Sequence, residues 1–541
     1  MYPDKYLKSL KVVEANREKN ISVQLPCLSE NEKIKLLDSF HPEFNKNGYA
    51  ELKIGANRGE RAPIELVRLL ESNSRIDPSK INLTTPAYDV DVLIVGGGGA
   101  GAVAALAAES CGADIMIVTK LGFGDSNTIM AEGGIQAAVK DNDSPMQHFI
   151  DSYGGGRFCA KRELLAKLVL GAPEAIKWLS DLGVEFDRDS NGEILTTLGG
   201  GLSRKRMCSV KDHTGLEIMQ MLRDEVLNKP IKILEYTAAV ELILDNGGNA
   251  AGAVLMDMES GEYSTVRAKT VIIATGGAGR LHYQGLPTSN HYGATADGLV
   301  LAYRIGAKLI FADSMQYHPT GASYPSQIIG ALVTEKARAL GAKLVNSSGR
   351  VFVNSLDGRD VVSASIIREC TSHNGGVDTG AGKAVWLDTP MIDAIHGRGT
   401  TEANLPAVYR RYLSLGVDIS REPILVYPTL HYQNGGIEIN AEGESVNVKN
   451  LLVAGEAAGG IHGRNRLMGN SLIDIIVFGR IAGKNAALCS KNIIPDALTV
   501  KHLVKYNMER ARAGVASKLI SPVLLPDYAG KVAEGKKTHT R

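Results

Sequence analysis

Residues Gly96-Gly97-Gly98-Gly99-Ala100-Gly101 satisfy the pattern GxGxxG, with Gly96, Gly98 and Gly101 at its defining positions. The chemistry such a run serves is pyrophosphate binding. The first glycine makes a tight turn and the second lets main chain approach the phosphates. The third lets a helix pack close on a strand, and the N-terminus of that helix offers a positive dipole end. The spacing carries weight only where a strand precedes it and a helix follows. Both are expected here. DVDVLIVGG is a β-branched apolar run that reads as a buried strand, AVAALAAES reads as an Ala-rich helix, and ADIMIVTK reads as a second strand. This βαβ order predicts a parallel sheet with crossover helices.

A plain NAD site would carry an acidic residue about 20 positions after the glycines. The second strand instead ends Val118-Thr119-Lys120, so nothing acidic is ready there for a ribose. Glu456, just after a late apolar strand in NLLVAGEAAGG, is the candidate for reaching a ribose or a ribityl chain. Three further clusters of small residues would let main chain lie edge-on against a flat ring. They are Ser126-Asn127-Thr128, Ala131-Glu132-Gly133-Gly134-Ile135 and Ala274-Thr275-Gly276-Gly277-Ala278-Gly279. Near residue 470 the run GRNRLMGNSL is placed to open a helix onto the same site through Asn470, Ser471 and Leu472.

The remaining elements follow from pattern. KILEYTAAVELIL and AAGAVLMDME read as strands of a hairpin joined across DNGGN, and TVIIATGG as another strand. A sheet that begins near 89 and resumes only near 430 implies an inserted domain. Residues 1–88 differ in character, being rich in Lys, Glu and Asn with helical stretches at Lys33–Phe40 and Pro63–Ser72. They read as an extension lying on the main body or on a partner. Composition narrows the class. Lys+Arg number 60 against 59 Asp+Glu, so no basic surplus calls for nucleic acid. Glycine stands at 59 of 541, about 11% against a usual value of roughly 7%. No apolar run reaches the roughly 18 residues of a membrane span. The N-terminus lacks the apolar core of a secretory signal. The six cysteines are scattered without a CxxC pair, which disfavours a disulfide framework, a zinc site or an iron–sulfur cluster held by this chain alone. A cytoplasmic location is expected.

Taken in order, these motifs with DHTG (Asp212–Gly215), QYHPTG (Gln316–Gly321), TEKAR (Thr334–Arg338), GRD (Gly358–Asp360) and LHYQNGG (Leu430–Gly436) give the chain a family likeness. From about Asp89 to Asn485 it resembles the flavoprotein subunit of fumarate reductase and succinate dehydrogenase, a family that includes L-aspartate oxidase. The resemblance implies an α/β fold, with a Rossmann-like FAD-binding domain on a parallel sheet interrupted by an α+β capping domain. The expected limits are 1–88 for the extension, 89–321 and 430–485 for the FAD-binding domain, 322–429 for the cap, and 486–541 for a short C-terminal segment. It implies FAD contacts from Gly96, Gly98, Gly99, Ala100, Gly101, Thr119, Lys120, Ser126, Asn127, Thr128, Glu132, Gly133, Gly134, Ala274, Thr275, Gly276, Asp297, Glu456, Asn470, Ser471 and Leu472. The reaction implied is hydride movement between flavin N5 and a C4 dicarboxylate such as fumarate or succinate. Arg466 is then the main carboxylate clamp, with His318 and His431 as further clamps and Thr334 as a hydrogen-bond partner. Arg359 corresponds to the proton donor, and Glu335 and Arg338 to its relay.

Three departures refine the reading. Relatives that attach FAD covalently carry His in a SHT-type triplet where this chain has Asn127, so non-covalent FAD is expected and fumarate reduction is the favoured direction. The C-terminal helical domain is expected to be short, ending in a basic EGKKTHTR. Residues 1–88 are additional. The leading expectation is a fumarate reductase flavoprotein subunit fed by a separate iron–sulfur partner. The alternatives are L-aspartate oxidase, another unsaturated acid read by ASYPSQI (Ala322–Ile328), and a flavin electron-relay subunit without dicarboxylate turnover.

Overall fold

In the computed structural model, which describes residues 2–494 and 496–528, the first apolar run forms β1 (Tyr88–Val95), whose last four side chains are all buried. Burial on both faces is the environment a continuous apolar strand favours. The glycine loop leads into α1 (Gly99–Glu109) and back to β2 (Ile115–Val118), parallel to β1 with Val92 opposite Ile115. β3 (Lys232–Leu234) extends this edge in parallel. β4 (Thr237–Asp245) and β5 (Ala250–Asp257) form the expected antiparallel hairpin across DNGGN. β6 (Tyr263–Ile273) pairs antiparallel with β5 and parallel with β1, and is thus the strand at which the sheet changes sense.

Past β6 the chain leaves this sheet. β7 (Met315–Ala322), β8 (Lys343–Val345), β9 (Lys383–Asp388) and β10 (Ile424–Gln433) form a separate antiparallel sheet in the order β7-β10-β9-β8. With α2 (Glu335–Ala339), α3 (Arg359–Thr371) and α4 (Pro406–Leu413) it encloses its own apolar cluster, including Val333, Ile366, Trp386, Val408 and Ile424. The chain then returns. β11 (Leu451–Val453) pairs in parallel with β6, and α5 (Asn470–Ser490) lies against α1. That contact is close because both helices offer small residues. A Cβ at Gly483 would sit 2.1 Å from the Ala104 carbonyl oxygen. The fold is α/β, a parallel-containing sheet joined to an antiparallel capping sheet.

Residues 2–87 enter both cores. The helix Asp4–Ile21 buries Tyr6, Leu10 and Val13 in the cluster of the antiparallel sheet, and Ile64–Leu70 buries Leu66, Leu69 and Leu70 in that of the main sheet. Between them, Glu30–Phe40 packs Leu36 on Val361 and Ala364 of α3. The C-terminal segment meets this region: Ile520–Ser521 pairs in parallel with Asn73–Ser74. Arg304 ties the junction, donating to Glu241 Oε2 at 2.9 Å and to the Asn73 carbonyl at 2.9 Å. The basic EGKKTHTR lies outside the described residues. Among the described residues no helix is long and apolar enough to cross a membrane.

Candidate functional site

Two glycines of the loop are required by geometry. Gly96 has φ +117°, and a Cβ there would lie 2.3 Å from the Ala274 carbonyl oxygen. A Cβ at Gly101 would lie 2.0 Å from the Gly96 carbonyl oxygen, so this glycine seats α1 on the strand end. From this turn one cleft runs between the two sheets to Arg466. Gly96, Gly98, Gly99, Ala100, Thr119, Lys120, Ser126, Asn127, Thr128, Glu132, Gly133, Gly134, Ala274, Thr275, Gly276, Asp297, Glu456, Ser471 and Leu472 all line it. Gly101 and Asn470 do not. Asn470 turns its amide away, to His148 Nε2 and Ser152 Oγ, both at 2.9 Å.

The missing acidic residue after β2 has a structural counterpart. Lys120, at that strand end, pairs with Asp297 and donates to Thr295 Oγ1 at 2.7 Å. Asp297 thus brings a carboxylate to the strand end from a helix nearly 180 positions later in the chain. Asn127 bridges the other wall: its amide nitrogen donates to Asn290 Oδ1 at 2.9 Å and Glu456 Oε2 at 3.1 Å, while its oxygen accepts from His291 N. Glu456 also accepts from Gln433 N at 2.8 Å, and burial raises its pKa. Thr275 Oγ1 is buried on the cleft wall without a hydrogen-bond partner, a group available to a ligand. Main chain exposed at glycines, a helix N-terminus and such polar tips fit a dinucleotide.

At the far end of the cleft stand His318, Thr334, Glu335, Arg359, His431 and Arg466, brought together from β7, β10, α2, α3 and the loop before α5. Arg359 Nε donates to Glu335 Oε2 at 2.9 Å, and Arg338 Nη2 lies 3.3 Å from the same oxygen. Gly200 N donates to Glu335 Oε1 at 2.6 Å. Arg338 stays behind Glu335, off the cleft surface. Thr334 caps α2, its hydroxyl accepting from Lys336 N at 3.4 Å. The His318 and His431 rings lie 5.0 Å apart. Thr320 N donates to His318 Nδ1 at 3.2 Å, which assigns the proton of the neutral ring to Nε2. His431 Nδ1 meets Ser289 Oγ at 2.8 Å.

The electrostatics follow from burial among cations. Burial and then Arg359 hold both histidines well below their usual pKa, so both rings are neutral. Burial alone would raise the Glu335 carboxyl, but Arg359 and Arg338 outweigh it and hold it at about 2. Burial, with Arg359 beside it, lowers Arg466 to about 10. A site this rich in positive groups favours an anion.

Three contributors were not singled out from sequence. Gln316 Oε1 accepts from Arg359 Nη1 at 2.9 Å and from Arg466 Nη2 at 3.1 Å. Its amide nitrogen donates to Arg466 O at 2.6 Å. The Tyr432 ring lies 4.3 Å beneath the Arg466 guanidinium. Asn290 joins Asn127 to the His431 carbonyl. Gln316 and Tyr432 stand two and one positions from assigned histidines, and that adjacency was the available signal.

Residues 91–472 match the FAD binding domain family. The chain is 36% identical to a subunit of fumarate reductase (CoM/CoB) from Methanothermobacter marburgensis, over 81% of this chain and 80% of that one. It is 34% identical to L-aspartate oxidase of Streptomyces coelicolor, over 74% of this chain and 69% of that one. Among solved structures, the FrdA chain of E. coli quinol fumarate reductase superposes with a TM-score of 0.71 at 30% identity, covering 79% of this chain and 74% of that one.

Proposed function

The chain belongs to the FAD-dependent oxidoreductase family of fumarate reductase, succinate dehydrogenase and L-aspartate oxidase flavoproteins, and we propose that within it this protein reduces fumarate to succinate. The observation that carries the reading is the pair Arg359 and Arg466, aligned on one Gln316 oxygen and opening on the cleft beside His318 and His431. Two guanidinium groups and the Nε2–H of neutral His318, with His431 beside it, suit two carboxylates of one small dianion.

FAD held along the glycine loop, Asn127 and Glu456 would supply the hydride. The chain's own residues do the rest. Arg466 and the histidines hold the carboxylates, and Thr334 adds a hydrogen bond. Arg359 hands a proton to the substrate carbon and recovers it through Glu335 and Arg338. Arg359 is buried and reaches Glu335 Oε2 through Nε and Gln316 Oε1 through Nη1, each at 2.9 Å. The contacts among Arg359, Glu335 and Arg338 form a continuous path.

Aspartate is the alternative substrate. Its ammonium needs an acceptor, and the two carboxylates that act on Arg466 are engaged, Glu335 by Gly200 N and two arginines and Glu456 by Gln433 N and Asn127. That leaves Glu132 Oε2 on the cleft wall as the acceptor at hand. Asn127, an amide fully hydrogen-bonded to protein, supports non-covalent FAD. Acid precipitation should release all the flavin into solution. Residues 322–429 then act as the cap and electrons arrive from a separate iron–sulfur chain; a relative whose name makes it one subunit of an enzyme supports the presence of a partner chain.

The test is anaerobic reduction of the FAD-loaded protein followed by fumarate. Rapid return of the oxidised flavin spectrum supports the proposal. Reduction of the flavin by L-aspartate, with no reoxidation by fumarate, would replace it with the oxidase reading.

A further inference from the structure

We propose that Glu132, acting through Arg411 of α4, is a positioning residue for Thr334 and Glu335. The inference rests on the reading that these two serve the dicarboxylate site. Glu132 belongs to AEGG on the flavin side of the cleft, but its carboxylate is turned towards the capping sheet. Glu132 Oε1 accepts from Arg411 Nη2 at 2.6 Å, and Arg411 Nη1 donates to the Leu332 carbonyl at 2.7 Å. One guanidinium therefore spans the AEGG loop and the main chain two residues before Thr334. The Thr334 main-chain N–H faces the same carboxyl and favours its charged form.

The helix that carries Arg411 is itself held from the flavin side. Asp212, of DHTG, is fully buried and accepts from Ala407 N and Val408 N, both at 3.0 Å, at the start of α4. DHTG is fastened in turn to the loop preceding Glu132. Gly215 N donates to the Ala131 carbonyl at 2.9 Å, and a Cβ at Gly215 would lie 2.0 Å from the Thr128 carbonyl oxygen. Loop 128–134, DHTG, α4 and residues 332–335 thus close a ring of contacts. The ring fixes where α2 begins, and with it the Glu335 carboxylate on which Arg359 depends.

Glu132 is buried and Arg411 partly exposed, so loss of Arg411 strands a buried carboxylate, while loss of the Glu132 charge frees the Arg411 guanidinium from the AEGG loop. The groups facing Glu132 are Arg411, Asp212 and Tyr412. Burial raises the Glu132 carboxyl to about 7 against the pull of Arg411, so its charge, and the grip on Arg411, changes near neutral pH.

The test uses the full-length, FAD-loaded protein with Glu132→Gln, and Arg411→Met as a second route to the same loss. Expected are an unchanged FAD content, a fumarate KM within about twofold, and a kcat lower by roughly tenfold to hundredfold, the scale of a small misplacement of reacting groups. The rise of kcat across neutral pH should flatten, and hydrogen exchange over residues 332–340 should increase in both variants. Wild-type kcat and pH profile in both variants would overturn the proposal, as would unchanged exchange. Loss of FAD from Glu132→Gln alone would also overturn it, making the residue a cofactor contact. Exchange needs no substrate, so faster exchange in a protein whose wild type never turns over fumarate would sink the dicarboxylate reading and leave the brace standing.

Discussion

Gln316 places one carbonyl oxygen between two guanidinium groups, 2.9 Å from Arg359 Nη1 and 3.1 Å from Arg466 Nη2. Two like charges are thereby held side by side, with Arg359 Nε also on Glu335 Oε2 and Arg466 Nη1 also on the Leu467 carbonyl. Hydrogen bonds to charged groups contribute about 1.5–3 kcal/mol. Gln316→Leu should therefore lower kcat/KM for fumarate by roughly ten- to a hundredfold. Steady-state kinetics with flavin content checked would test this. An unchanged kcat/KM would mean that packing alone aligns the two arginines.

Arg359→Lys keeps a positive charge but loses the fork that reaches Glu335 and Gln316 together. FAD should stay bound while turnover falls by orders of magnitude. Near-normal turnover would remove Arg359 from proton transfer.

Gly96→Ala meets both a positive φ and a carbonyl 2.3 Å from the new Cβ. The variant should purify with far less than stoichiometric flavin, read from absorbance. Gly154→Ala, where the nearest atom to the new Cβ is 3.8 Å away, is the control and should bind FAD normally. Equal flavin content in the two would show that the turn relaxes.

His148 is buried beside Asn470, and burial lowers its pKa from 6.5 to about 4. The unfolded chain then binds the extra proton first. The stabilising contribution is complete above about pH 6.5 and is lost as pH falls towards about 4. Between pH 7 and 5 this amounts to about 2 kcal/mol. Denaturant titrations of His148→Gln should show a loss of stability on acidification smaller than wild type by about that much. Equal losses would mean that His148 is not a source of the acid sensitivity.

The sequence by itself determined what depends on neighbours along the chain. An apolar run, six glycine-rich positions and an Ala-rich run fix strand, turn and helix locally, so the β1–loop–α1 unit and the β4–β5 hairpin were legible from residue type and spacing. Ordered motifs placed His318, Glu335, Arg359, His431 and Arg466 in one site, and the cleft does gather them. Tertiary structure alone decided what depends on partners far along the chain. No local pattern says that Lys120 pairs with Asp297, that Asp212 seats the start of α4, or that Glu132 is turned to Arg411. Residues 2–87 show the same limit. Their polar surface reads as an extension, yet Tyr6 and Val13 face one core and Leu66 and Leu70 the other. Amphipathic helices reveal that they have an apolar face; only the assembled chain shows what covers it.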